Sequence, residues 1–197
     1  GSGASGRGGG RGHHHGHSHS YSLLDEFRAS GGKGKNWELG HLRGGVVGFC
    51  QDQHGSRFVQ QQLEVASWED KDMVFEEVLP RCRDELVSDV FGNYVVQKLL
   101  EHGSAAQRVA LVTRVLQGHA VRLAMEMYGC RVVQKALEVS AEDPALVVPI
   151  VREFGGAVLE CVNDQNGNHV IQKCIEVRPP HTLTLSPHTH AQLFFWG

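Results

Sequence analysis

The sequence predicts an all-α fold, a solenoid of stacked helical repeats. Three observations predict it. One nine-residue pattern recurs four times at nearly constant spacing, each copy opens an amphipathic helix, and no segment reads as a convincing strand. The chain has 197 residues, 41% of them hydrophobic, which is enough for one domain with a modest core.

The pattern is an acid, two residues, Gly, a short residue, a planar one, two apolar residues and Gln. Its copies are Asp52-Gln53-His54-Gly55-Ser56-Arg57-Phe58-Val59-Gln60, Asp89-Val90-Phe91-Gly92-Asn93-Tyr94-Val95-Val96-Gln97, Glu126-Met127-Tyr128-Gly129-Cys130-Arg131-Val132-Val133-Gln134 and Asp164-Gln165-Asn166-Gly167-Asn168-His169-Val170-Ile171-Gln172. The four glutamines lie 37, 37 and 38 residues apart. A constant period in this range marks helical units that each need a neighbour to complete their core.

On a wheel advancing ~100° per residue, Tyr94, Gln97, Lys98 and Glu101 share one arc and Val95, Val96, Leu99 and Leu100 the opposite one. The other three copies divide the same way, with one lapse at Gln62 on the first helix's apolar side. The motif glycine (Gly55, Gly92, Gly129, Gly167) suits a left-handed position that ends the preceding helix. A further helix follows each of the first three motifs. Ser67 with Asp70, Ser104 with Gln107 and Ser140 with Asp143 read as N-caps with a reciprocating partner three residues on, and Pro144 suits a first helical turn.

The polar face carries the chemistry. Ser56/Gln60, Asn93/Gln97, Cys130/Gln134 and Asn168/Gln172 are spaced i, i+4 and so neighbour each other on a helix. Beside each pair lies a planar side chain: Arg57, Tyr94, Arg131 or His169. An amide offers both a donor and an acceptor to a base edge, and a flat side chain offers a surface on which a base stacks. Stacked repeats line these triplets up as a ruler for single-stranded nucleic acid.

These motifs resemble the Pumilio-type (PUF) family of RNA-binding repeats, and the four copies are similar to the first four repeats of a Pumilio homology domain. The resemblance covers residues 37–177 and, more weakly, Leu23-Leu24-Asp25-Glu26-Phe27-Arg28. It implies a curved α-solenoid of three-helix repeats that reads about one base per repeat with two or three side chains. It assigns Asn93/Gln97 and Asn168/Gln172 to uracil, Ser56/Gln60 and Cys130/Gln134 to adenine, and stacking to Arg57, Tyr94, Arg131 and His169. With the strand antiparallel to the repeats, the implied core is 5′-UAUA-3′. The resemblance further implies a cytoplasmic protein that acts on 3′ untranslated regions of messenger RNA, with translational-repression or deadenylation proteins as partners.

The expected organisation is a disordered Gly/His/Ser-rich segment over 1–20 and a partly irregular capping half-repeat over 21–40. Four repeats follow over 41–79, 80–116, 117–153 and 154–178, the last incomplete, then a non-repeat tail over 179–197. The chain begins at Gly1 rather than Met, so the sequence reads as a fragment, and the pattern stops after Ile175-Glu176, so the repeat array reads as C-terminally truncated.

Composition narrows the function classes. The formal net charge is −3, and residues 41–178 carry 14 Lys and Arg against 19 Asp and Glu. Binding dominated by phosphate neutralisation is excluded on that balance, and the basic residues that share the polar face (Arg57, Lys98, Arg131, Lys135, Lys173) act by placement. Five dispersed cysteines have neither zinc-ligand nor disulfide-framework spacing. The tract His13-His14-His15-Gly16-His17-Ser18-His19 lies in a Gly/Ser-rich stretch without fixed geometry, so no metal site is assigned. No phosphate loop or nucleophile constellation is present, which leaves no enzyme, cofactor or small-molecule substrate to expect. The competing reading is a helical-repeat scaffold for protein partners. It explains the buried faces equally well, but not the registered Gln, short and planar residues.

Overall fold

A computed structural model describes residues 22–31 and 36–177. The Gly/His-rich segment, most of the Gly31–Lys35 interruption and the 179–197 tail lie outside the described residues. Among the described residues every regular element is helical: α1 (Leu23–Ala29), α2 (Val46–Cys50), α3 (Gln53–Val65), α4 (Trp68–Arg81), α5 (Gly92–His102), α6 (Ala105–Leu111), α7 (Ala120–Ala124), α8 (Gly129–Val139), α9 (Pro144–Glu153), α10 (Val158–Asn163) and α11 (Gly167–Glu176). The motif helices α3, α5, α8 and α11 pack side by side in that order, and α1 lies against α3.

The start of three of the four motif helices is written in the acid that opens the motif. Asp52 accepts from the backbone N–H groups of His54 and Gly55 at 3.0 and 2.8 Å, Asp89 from those of Phe91 and Gly92 at 2.9 and 2.6 Å, and Asp164 from those of Asn166 and Gly167 at 2.9 and 2.8 Å. A short carboxylate at this place satisfies N–H groups that have no partner within the helix and favours its positive end. The third repeat has Glu126 instead. Its carboxylate turns to the Ser88 hydroxyl of the previous repeat and to Arg122 Nη1 at 2.5 Å.

The motif glycines do not adopt the left-handed conformation expected of them. Positive φ occurs among the described glycines at Gly31, Gly44 and Gly118. Each motif glycine instead lies in the first turn of its helix against the backbone six residues earlier: a Cβ at Gly55, Gly92, Gly129 or Gly167 would stand 2.7, 3.0, 2.7 or 2.7 Å from the carbonyl oxygen of Phe49, Leu86, Leu123 or Cys161. Close helix approach, rather than backbone freedom, demands glycine here.

Ser67 and Ser104 cap α4 and α6 as their spacing predicts, Ser104 in a reciprocal pair with Gln107. The expected Ser140 cap is displaced: Asp143 is the N-cap of α9 and bonds the Ala145 N–H at 3.0 Å, while Ser140 ends α8. Pro144 pins φ at the first helical position, so the cap falls on the residue before it.

Two glutamates from third helices fold back on the first helix of their own repeat. Glu77 accepts from the Gly44 and Val46 N–H groups at 2.6 and 3.2 Å, and Glu153 from those of Gly118 and Ala120 at 2.6 and 2.9 Å. Gly44 and Gly118, at φ 80° and 78°, make the turn that aims those donors. In the second repeat, arginines stand 37 residues on from Gly44 and Glu77, at positions 81 and 114. There α4 runs on through a π-helical turn, Cys82–Leu86, closed by Val87 N–H to Cys82 O at 2.9 Å.

The core is one continuous cluster running through all four repeats, from Phe27 and Trp37 at one end to Cys161 and Val170 at the other. Phe27 meets Trp37 and Phe49 edge-on with ring centroids 5.2 Å apart in both pairs, so α1 closes the first repeat's apolar side. Arg28 on α1 also reaches the second oxygen of the Asp52 cap at 2.6 Å. The five cysteines are free thiols, buried except for the half-buried Cys174. Burial pushes the Cys82 and Cys174 thiols up to about 12, so they pack as small apolar groups.

Candidate nucleic-acid interface

The motif's three polar positions reach three depths. Asn93, Ser56 and Cys130, at the first position, are buried, and Asn168 is half-buried. Arg57, Tyr94, Arg131 and His169, at the second, are exposed. Gln60, Gln97 and Gln134 lie between, while Gln172 on α11 is exposed. An i, i+4 pair shares one helix stripe and the residue after its first member turns outward, so α3, α5 and α8 each present a recessed polar pair beneath a protruding flat side chain.

Hydrogen bonds orient the recessed residues. Asn93 Nδ2 donates to the carbonyls of Asp89 and Val90 at 2.8 and 3.1 Å, and its Oδ1 accepts from Gln97 Nε2 at 3.0 Å. Gln97 keeps its carbonyl oxygen and a second N–H for the cleft that it lines. Asn168 repeats the first bond to Asp164 O at 2.8 Å. Cys130 Sγ reaches Met127 O at 3.4 Å, and Gln134 Nε2 reaches Cys130 O at 3.2 Å. Burial raises the Cys130 thiol's pKa, which keeps it a neutral donor.

Adjacent repeats enclose two clefts. One, of about 290 Å³, is lined by Gln53, Ser56, Arg57, Gln60, Phe91 and Tyr94. The other, of about 340 Å³, is lined by Tyr94, Gln97, Arg131 and Gln134, with Lys135, Glu138 and Lys173 at its edge. Each is walled by flat side chains of two consecutive repeats, Arg57 with Tyr94 and Tyr94 with Arg131. Tyr94 serves both. The structure thus brings Ser56, Arg57, Gln60, Tyr94, Gln97, Arg131 and Gln134 to the clefts. Asn93 and Cys130 stand behind Gln97 and Gln134 without lining either, and Asn168, His169 and Gln172 occupy the same positions on α11, also outside both.

Sequence reasoning missed Gln53, Phe91 and Glu138 as lining residues. Phe91 has a faint signal, since Tyr128 is its aromatic counterpart 37 residues on. The lysines expected to act by placement are each paired: Lys98 with Glu64 and Glu101, Lys135 with Glu138, and Lys173 with Glu176. The bond to Glu64 raises the Lys98 pKa, and the same bond lowers that of Glu64. Among the described residues no three His, Cys, Asp or Glu side chains gather to hold a metal ion, and no helix is long and apolar enough to cross a membrane.

The Pumilio-family RNA binding repeat matches the chain four times, over residues 45–79, 84–116, 119–144 and 158–184, more than half its length. The chain belongs to the Pumilio family. Within the family, a 63-residue segment is 49% identical to the mRNA-binding protein puf3 of Schizosaccharomyces pombe, covering 32% of this chain and 9% of that protein. A 69-residue segment is 48% identical to the maternal protein pumilio of Drosophila melanogaster, covering 35% of this chain and 4% of that one. Among solved Pumilio-family structures, the Puf3 RNA binding domain bound to the Cox17 RNA 3′ UTR recognition sequence site A superposes with a TM-score of 0.72 at 42% identity, over 79% of this chain and 43% of that domain. PUF-8 in complex with PBE-RNA superposes equally well, at 42% identity over 78% of this chain and 44% of that one. The α-solenoid expected from the repeat period is the fold observed, and this Pumilio-family chain spans less than half of each of those two RNA-bound structures.

Proposed function

We propose that this chain binds single-stranded RNA by base sequence, one base per repeat. A single arrangement carries the reading: Arg57, Tyr94 and Arg131, from three consecutive repeats, wall two clefts lined by Ser56/Gln60 and Gln97/Gln134. A base sandwiched there gains stacking of ~1–3 kcal/mol and meets donors and acceptors at its edge. By the family code, Asn93/Gln97 and Asn168/Gln172 take uracil while Ser56/Gln60 and Cys130/Gln134 take adenine. The preferred core is 5′-UAUA-3′, in the antiparallel sense. Its setting would be the 3′ untranslated region of cytoplasmic messenger RNA, with translational-repression or deadenylation proteins recruited to it. Catalysis and cofactors have no part in this reading. Both RNA-bound relatives support it, as do the orientation of Gln97 by Asn93 and the planar residue in every repeat.

A gel-shift titration with a UAUA-containing RNA and a scrambled control tests it. Gln97→Ala with Gln134→Ala removes two reading amides on half-exposed helix surfaces. The expected result is preference for UAUA in the unmodified chain, and its loss in a variant with the same melting temperature. Equal binding of both RNAs by the unmodified chain overturns the proposal.

A further inference from the structure

One helical turn beyond each reading glutamine stands a glutamate: Glu64, Glu101, Glu138 and Glu176 follow Gln60, Gln97, Gln134 and Gln172 at i+4. Residues four apart share a helix face, and the motif helices pack side by side, so the carboxylates form a second row beside the reading row. Lysines sit between the rows in the last three repeats. Lys98 Nζ lies 2.6 Å from Glu64 of the preceding repeat and 3.4 Å from Glu101. Lys135 Nζ lies 3.4 Å from Glu138, and Lys173 Nζ 2.5 Å from Glu176. The pairs are unequal in exposure: the three lysines are 26%, 21% and 26% exposed, whereas their glutamates range from 41% to 60%. The negative member of each pair faces solvent more than the positive one.

This flank borders a proposed base slot, because Lys135, Glu138 and Lys173 line the cleft between Tyr94 and Arg131. Lysines beside a nucleic-acid strand ordinarily neutralise phosphates, and that attraction ignores sequence. Here each ammonium is closed on a carboxylate, and the exposed row offers negative charge within a Debye length, about 8 Å at physiological salt. Like charge placed against the wrong mode of binding suppresses it.

We infer that Glu64, Glu101, Glu138 and Glu176 are specificity-determining residues, which withhold Lys98, Lys135 and Lys173 from phosphate and keep the RNA backbone off this flank. Binding then depends on bases, which alone discriminate sequence. The inference rests on the RNA-reading proposal.

The test is the full chain carrying Glu64→Gln, Glu101→Gln and Glu138→Gln, which frees Lys98 and Lys135. Its binding to UAUA RNA and to oligocytidine RNA of equal length is measured between about 50 and 200 mM salt, the range over which phosphate contacts are lost. Oligocytidine binding is expected to strengthen several-fold, and the slope of log K against log salt to steepen by about 0.7 for each lysine released. Adding Lys98→Gln and Lys135→Gln to this variant is expected to restore the original slope. Pairs that serve stability alone would change the melting temperature and leave the slope as it was. An unaltered slope and unaltered oligocytidine binding in the folded variant overturn the inference. If the triple variant melts early, Glu138→Gln alone frees Lys135 and is expected to give about half the steepening, since each lysine contributes equally; no steepening there overturns the inference as well. Absence of any UAUA preference in the unmodified chain would instead remove the base-reading proposal, whatever the glutamate variants do.

Discussion

Arg131 donates from Nη1 to the hydroxyl of Tyr94 across 2.9 Å, joining the flat side chains of two consecutive repeats. The bond spans 37 residues of sequence and ties together both walls of one cleft. Wall spacing there is set before any ligand arrives, and a preformed slot lowers the cost of ordering what enters it.

Tyr94 is therefore expected to matter more than any other stacking residue, because it walls both clefts. Tyr94→Ala should weaken binding of UAUA RNA by ~1–3 kcal/mol per base it stacks, and His169→Ala, on α11 outside both clefts, by less. Tyr94→Phe keeps the ring, loses the Arg131 bond, and should fall between wild type and Tyr94→Ala. Isothermal titration of the three variants checks the order; equal losses for Tyr94→Ala and His169→Ala would contradict it.

Cys130→Asn should switch the third slot from adenine to uracil. An asparagine fits there because Asn93 and Asn168 both donate to the carbonyl four residues back, at 2.8 Å in each case, and Glu126 O occupies that place for residue 130. The readout is competition between RNAs that differ at one base. A variant that still prefers adenine at that position refutes the assigned code.

Two glycine substitutions should move stability in opposite directions. At Gly129 an added methyl stands 2.7 Å from Leu123 O and must push two helices apart, so Gly129→Ala should cost about 1–3 kcal/mol. Gly48 in α2 is exposed with open space around it, so Gly48→Ala should stabilise by about 0.5–1 kcal/mol. Urea unfolding monitored by circular dichroism measures both. Shifts of the same sign would contradict the close-approach account.

Acid should weaken the fold through its cap aspartates. Burial alone would raise the Asp52 pKa, but the Gly55 N–H, the Arg28 guanidinium and the His54 N–H together hold it below its ordinary 3.8. The Gly167 and Asn166 N–H groups hold Asp164 below its ordinary value as well. A carboxyl depressed in the folded state contributes stability that is complete above the unfolded value and is lost as pH falls through the folded one. The urea midpoint is thus expected to fall as pH drops below about 4, the ordinary Asp range. Asp52→Asn, which keeps a capping side chain and loses the charge, should fall less steeply. Parallel curves for the two proteins would contradict this.

Much of the fold and of the candidate site was legible in the sequence because it is local. The period of the glutamines, the apolar stripe behind Asn93 and the caps at Ser67 and Ser104 all depend on residues within a turn or two of one helix. The same holds for the depth of the reading pairs, since i, i+4 spacing sets a shared stripe wherever the helix lies. Three features needed the tertiary structure. Gly129 is required by Leu123 O rather than by its own φ, Glu77 caps α2 from 31 to 33 residues away, and Lys98 is held by a glutamate of the preceding repeat. Helical periodicity says which face a side chain occupies; only the superposition of one repeat on the next says what faces it. By itself the sequence determined the repeat, its helices and which side chains share the polar stripe of each motif helix. Packing decided which neighbours those residues meet, because contacts across about one period join side chains that no local spacing relates.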